Sequence, residues 1–142
     1  MRAENYIKIE FPSRSVNEGF ARSALSAFAA QADPTLDELA DVKTAVSEAV
    51  TNCIVHAYAN TIGPITLTAA LYEDGTLRVA VADKGCGIPD VSKAMEPLFT
   101  TGGAERAGLG FAVMESFMDS VKVRSAPGKG TRVTLSKRLG TR

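Results

Sequence analysis

The chain has little cysteine, no surplus of charge and no long apolar run, and each shortage removes a class of function. Its two cysteines, Cys53 and Cys86, show no CxxC spacing, so by themselves they hold no metal cluster. Free thiols in a reducing compartment fit this usage better than a single disulfide. Sixteen basic residues balance sixteen acidic ones. The strongly basic face that DNA, RNA or an anionic membrane would require is therefore not expected. No apolar run approaches about 18 residues, and the N-terminal MRAENYIKIEF lacks the apolar centre of a secretion signal. Two phosphate-binding fingerprints are also missing. GxGxxG would need a third glycine where Asp90 stands, and no GxxxxGK[ST] loop occurs.

What is there is ordinary globular composition. The chain has 142 residues, 45% hydrophobic and 23% charged, which points to one soluble domain over 1–142 rather than two, and to a cytoplasmic setting. Neither internal repeats nor low-complexity segments interrupt it.

Residues 6–11 alternate Tyr6, Lys8 and Glu10 against Ile7, Ile9 and Phe11, the pattern of a half-buried strand. Ser15 with Glu18 matches a capping box, and Val16, Phe20, Leu25, Phe28 and Ala29 then predict one face of a helix to about Gln31. Asp33-Pro34 breaks that helix. Thr35 with Glu38 matches a second capping box, opening a long helix to about Tyr58 through Leu36, Leu39, Val42, Val46, Val50, Cys53, Ile54 and Ala57. Two strands, 65–72 and 76–82, flank the turn Glu73-Asp74-Gly75. From 83 to 110 glycine, proline and threonine take over, with a short helical piece at 91–95; a stretch of this length in a compact domain is usually functional. Helical spacing returns over 109–119, and strands at 120–125 and 131–137 close the chain. The order predicts an α+β two-layer sandwich, a mixed, mostly antiparallel sheet with helices on one face.

Three segments carry chemistry. The long helix holds Glu48, Asn52 and His56 in ExxxNxxxH spacing. Four residues turn a helix by about 400°, so each group lies about 40° round and about 6 Å along from the last. A polar helix stripe is most often a solvated face. This one is bordered by Ala45, Ala49 and Val55 rather than by charged residues, which marks it as half-buried and convergent on something polar. The second segment is Asp83-Lys84-Gly85-Cys86-Gly87-Ile88-Pro89, at the end of an apolar strand. Its glycines would let backbone approach a flat ligand where a Cβ would clash, and Asp83 supplies an acceptor for an exocyclic amine. A plain tight turn is the competing explanation. The third is Thr100-Thr101-Gly102-Gly103-Ala104-Glu105-Arg106-Ala107-Gly108-Leu109-Gly110, opening into a helix. Free N–H groups at such a helix start suit an anion, and Arg106 could add a charge-assisted contact to phosphate. Taken alone, it also reads as a flexible surface loop.

The order ExxxN helix, DxGxGIP, glycine-rich segment ending in GLG before a helix resembles the Bergerat (GHKL) ATP-binding fold. DNA gyrase, a heat-shock chaperone family, mismatch-repair ATPases and histidine kinases share that fold. Over nearly the whole chain the sequence is similar to the anti-sigma F factor family of spore-forming bacteria (stage II sporulation protein AB). The stretches ARSALSAFAAQADPTLDELADVKTAVSEAVTNCIVHAY, DKGCGIPDVSKAMEPLFTT, ERAGLGFAVMESFMDSVKV and GKGTRV carry the likeness. The resemblance implies a serine protein kinase that holds sigma F inactive and uses Mg-ATP to phosphorylate a serine of its anti-anti-sigma partner, with ADP as product.

By that resemblance Glu48 is the general base and Asn52 ligates Mg²⁺. Asp83 accepts the adenine amino group beside Gly85 and Gly87, and Thr131 lies near the base. Thr100 and Thr101 belong to the nucleotide site, Arg106 reaches the γ-phosphate, and Gly108, Leu109 and Gly110 present amides to the phosphates. Arg22, helped by Arg14, meets the protein partners, and His56 is structural. A mobile ATP lid at about 96–108, a homodimer, and a place in the forespore or pre-divisional cell are also implied, with no direct nucleic-acid or membrane contact. Gly102-Gly103-Ala104 departs from the family pattern, which carries proline and larger residues there, and predicts a more mobile lid. Other readings stay open: a general-stress anti-sigma kinase of the same fold, or a sigma-sequestering module that transfers no phosphate. A histidine kinase domain would need a phosphoacceptor histidine outside the nucleotide site, and His56 is the sole histidine.

Overall fold

The computed structural model describes residues 2–88 and 103–140, with the backbone alone over 103–109. The elements run β1 (Ala3–Pro12), α1 (Val16–Ala29), a 3₁₀ turn (Ala30–Ala32), α2 (Leu36–Asn52), a π-helical turn (Cys53–Ala57), β2 (Pro64–Tyr72), β3 (Thr76–Asp83), α3 (Gly103–Phe117), β4 (Ser120–Ala126) and β5 (Gly130–Arg138). The helical piece expected at 91–95 lies outside the described residues, as does the 96–102 part of the expected lid. Residues 103–108, its second part, form the first turns of α3, which begins at Gly103 rather than at Leu109.

The five strands are ordered β1-β2-β3-β5-β4. Expected to be mixed, the sheet is antiparallel at every described pairing. The β4–β5 hairpin explains this: β5 inserts between β3 and β4, so the two strands joined through α3 run the same way without touching. Alternation then sorts the faces. Ile65, Leu67, Ala69 and Leu71 of β2, Leu77, Val79 and Val81 of β3, and Val133 and Leu135 of β5 turn inward and are buried. Against them pack Leu25 and Phe28 of α1, Val42, Val46 and Val50 of α2, and Phe111 and Met114 of α3.

Both ends of the helical layer correct the sequence pattern. Val16 and Phe20, expected on the packed face of α1, are 78% and 56% exposed. At about 100° per residue Phe20 points roughly 105° away from the buried stripe of Ala21, Leu25 and Phe28. Ser15 does not cap α1. Its backbone is already helical (φ −59°, ψ −31°), and its side chain makes no capping hydrogen bond; a cap needs the extended conformation. Thr35 has it (ψ 164°), and the box closes: Glu38 N–H donates to Thr35 Oγ1 at 3.0 Å and Thr35 N–H to Glu38 Oε1 at 2.8 Å. The long helix ends as an α-helix at Asn52 and widens into the π-turn, with Tyr58 N–H donating to Cys53 O at 3.0 Å. Such widened turns recur at functional sites.

Candidate functional site

Asp83 ends β3 and is buried. A buried carboxylate needs donors, and the fold supplies three. Oδ1 accepts the N–H of Gly85 at 2.9 Å and of Thr131 at 3.2 Å. Oδ2 accepts the Cys53 thiol at 3.4 Å, from the first residue of the π-turn. Burial pushes the Cys53 thiol well up, and the neighbouring Asp83 charge and hydrogen bond add to it; the thiol stays neutral. The next residue is fixed by Tyr58, whose Oη accepts Lys84 N–H at 2.6 Å and donates to Pro64 O at 2.8 Å. Burial raises that phenol too, against the Lys84 hydrogen bond.

Gly85 and Gly87, expected to clear space for a ligand, clear it for the protein's own backbone. A methyl on Gly85 would strike Ala57 of the π-turn, 2.6 Å from its Cβ. Gly87 sits at φ +77°, and a methyl there would fall on Ala126 O in the β4–β5 turn. Hydrogen bonds lock the same contact: Gly128 N–H donates to Cys86 O at 2.6 Å, and Ile88 N–H to Ser125 Oγ at 2.7 Å. Ser125 also donates to Gly130 O at 3.0 Å and shares a 2.7 Å hydrogen bond with Thr131 Oγ1. Neither Ser125 nor Tyr58 is flagged by a sequence motif, and both hold the loop after Asp83.

The second part of the site lies where α3 crosses α2. A methyl on Gly110 would come 3.2 Å from Glu48 Oε2 and 3.3 Å from both amide atoms of Asn52. The bare glycine thus lets α3 approach the carboxylate and the amide together. Asn52 Nδ2 is buried with no hydrogen-bond partner among the described residues. Two oxygen donors one turn apart suit a hard cation that keeps other oxygens in its shell. Among the described residues no group of three or more His, Cys, Asp or Glu could hold a metal alone, so Mg²⁺ would need phosphate or water oxygens beside Asn52. The amides of Gly108, Leu109 and Gly110 lie inside α3, since the helix starts five residues before Gly108; offering them to phosphates would require its first turns to unwind.

Between these parts, among the described residues, is a cavity of about 60 Å³ lined by Asn52, Cys53, His56, Asp83, Phe111 and Thr131. Ligand pockets run to roughly 300–1,000 Å³, so this cavity is smaller than a typical ligand site. Glu48 also faces outward, onto a groove of about 720 Å³ between α1 and α2 that carries Arg22, Lys43 and Ser47. Glu18 receives the Arg22 guanidinium at 3.2 Å and the Ser47 hydroxyl. Arg14 is not in that groove; it lines another, of about 560 Å³, with Val16, Ile54 and Ile62. Thr100 and Thr101 lie outside the described residues, as does the Arg106 side chain.

Among the described residues no helix is long and apolar enough to cross a membrane. The family described as the histidine kinase-like ATPase domain matches residues 11–137. A protein named anti-sigma F factor from Caldanaerobacter subterraneus subsp. tengcongensis is 56% identical over 141 residues, 99% of this chain and 98% of its own. Another of that name from Thermoanaerobacter sp. (strain X514) is 54% identical over 142 residues, 99% of each. Among solved structures, the RsbU and RsbW domains of Rv1364c from Mycobacterium tuberculosis superpose with a TM-score of 0.71 at 26% identity, over 95% of this chain and 32% of that longer one. With its fold shared and its sequence matched from end to end, the chain belongs to the histidine kinase-like ATPase family and, within it, to the anti-sigma F factors.

Proposed function

We propose that this anti-sigma factor is a cytoplasmic Mg-ATP-dependent serine protein kinase, working as a homodimer. It holds sigma F inactive and phosphorylates a serine of an anti-anti-sigma partner. One observation carries the reading: Glu48 borders the α1–α2 groove on one side and meets Asn52 at Gly110 on the other. A protein substrate seated against Arg22 would reach a carboxylate that also faces the nucleotide side.

Phosphoryl transfer asks for positioning and charge neutralisation, with little covalent work by the protein. Asp83 orients the base through its exocyclic amine. Asn52 would hold Mg²⁺, which when bound neutralises phosphate charge. Glu48 orients the partner's serine hydroxyl and takes its proton. The serine oxygen bonds to the γ-phosphorus as the bond to ADP breaks, and the electron pair leaves on ADP. Arg106, on the first turns of α3, is assigned to the γ-phosphate, Thr100 and Thr101 to the same site, and Thr131 to the base. Arg22 is assigned to both protein partners, with Arg14 as a secondary contact. These partners, the serine specificity, the dimer and the forespore setting rest on the family resemblance.

The test is Mg-ATP with the anti-anti-sigma protein, reading phosphoserine by mass. The wild type adds one phosphate per partner. Glu48→Gln still binds ATP and loses transfer, and an unchanged rate in that variant would overturn the assignment of the base.

A further inference from the structure

We propose that Cys53 is a positioning residue that sets how sharply this chain discriminates a 6-aminopurine from a 6-oxopurine nucleotide, an inference that rests on the nucleotide reading above. The Asp83 carboxylate has about four lone-pair positions. Both positions on Oδ1 are spent inside the fold, on Gly85 N–H at 2.9 Å and Thr131 N–H at 3.2 Å. On Oδ2 the Cys53 thiol takes one at 3.4 Å. Among the described residues, a single acceptor position is left for the cavity that Cys53, Asp83 and Thr131 line together.

Cys53 fixes where that position points. The two N–H groups, from the loop and β5, hold Oδ1, and the thiol, arriving from α2's extension, holds Oδ2 on its own side, so the second lone pair of Oδ2 is the one left for a ligand. A thiol is a weak donor, so it holds Oδ2 without competing strongly for it. A 6-amino group then donates to Oδ2, whereas a 6-keto oxygen meets an anionic oxygen with no donor between them.

Substitutions separate donor from volume. Cys53→Ala removes both, Cys53→Val keeps bulk without a donor, and Cys53→Ser keeps a donor. Calorimetry on the full chain would give dissociation constants for Mg-ATP and Mg-ITP, and the ratio of the two cancels any general weakening of the site. Since one hydrogen bond is worth a few-fold to about tenfold, the ATP-over-ITP ratio should fall about three- to tenfold in Cys53→Ala and Cys53→Val. Cys53→Ser should return it to within about twofold of wild type. Circular dichroism confirms folding, and the Ser–Val comparison suffices should Cys53→Ala not fold. Unchanged ratios in Ala and Val overturn the proposal while ATP binding survives. A wild-type chain that binds neither nucleotide removes the nucleotide reading, and this inference with it.

Discussion

Replacing Gly87 by alanine tests whether the glycines after Asp83 serve the fold before they serve a ligand. Gly87 holds φ +77°, which costs an L-residue about 1–2 kcal/mol. The added methyl would sit on Ala126 O, 2.7 Å from the carbonyl carbon and 3.2 Å from Pro127 Cα. Those are backbone atoms of a turn, so nothing flexible can yield. Moving the loop away breaks the 2.6 Å Gly128–Cys86 hydrogen bond and strains the 2.7 Å Ile88–Ser125 one. Left-handed strain, overpacking and the lost hydrogen bond together give about 3–6 kcal/mol. For a chain of this length that lowers the melting temperature by roughly 10–20 °C. The assay is thermal unfolding followed by circular dichroism without nucleotide, with urea midpoints as a cross-check. A Gly87→Ala protein that melts like wild type and loses only nucleotide affinity would refute the reasoning, because the glycine would then serve the ligand alone.

Thr35→Ala should cost about 0.5–2 kcal/mol by removing the cap of α2, whereas Ser15→Ala, at a position without a capping bond, should change stability by less than about 0.5 kcal/mol; equal losses in urea unfolding would contradict the cap geometry. The exposed Arg124 and Arg132 stand directly opposite each other on β4 and β5, so Arg132→Glu should turn a like-charge pair into an attractive one and gain about 0.2–1 kcal/mol, with a lower urea midpoint as the contrary result. The Cys53 thiol has a folded pKa raised above its unfolded value of about 8.5. Below that pH the thiol is neutral in both states; above it the unfolded chain releases the proton that the native state keeps. Stability should therefore decline as pH rises past about 8.5, with this thiol contributing up to about 1.4 kcal/mol per pH unit. Cys53→Ala should flatten the decline over pH 8.5–10 in chemical denaturation, and an unchanged slope would mean the thiol ionises as freely folded as unfolded.

Much of the architecture follows from local pattern. Alternation in β2 marks which residues turn inward, and period 3.6 does the same for the middle of α2, because both are properties of a few consecutive residues, whereas β3 buries Val79, Ala80 and Val81 in a row. The Thr35–Glu38 box is equally local and closes as its spacing implies. The Ser15–Glu18 box has the same spacing and fails. Glu18 turns instead to Arg22 and to Ser47, the latter on another helix, a choice no local pattern contains.

By itself, the sequence determined the order of elements, the inward residues of β2 and of the middle of α2, and the residue types at the site: a carboxylate and an amide one helical turn apart, and an aspartate with glycines after a strand. Only the tertiary structure decided what those residues touch. It set Gly110 over Glu48 and Asn52, packed Gly85 and Gly87 against Ala57 and Ala126, and among the described residues left Asp83 a single open acceptor beside Cys53. It also started α3 at Gly103 and separated Arg14 from Arg22. The physical reason is distance along the chain. Periodicity and capping act over a few residues, whereas these packing contacts join positions from 28 to 62 residues apart, brought together by burying a shared core.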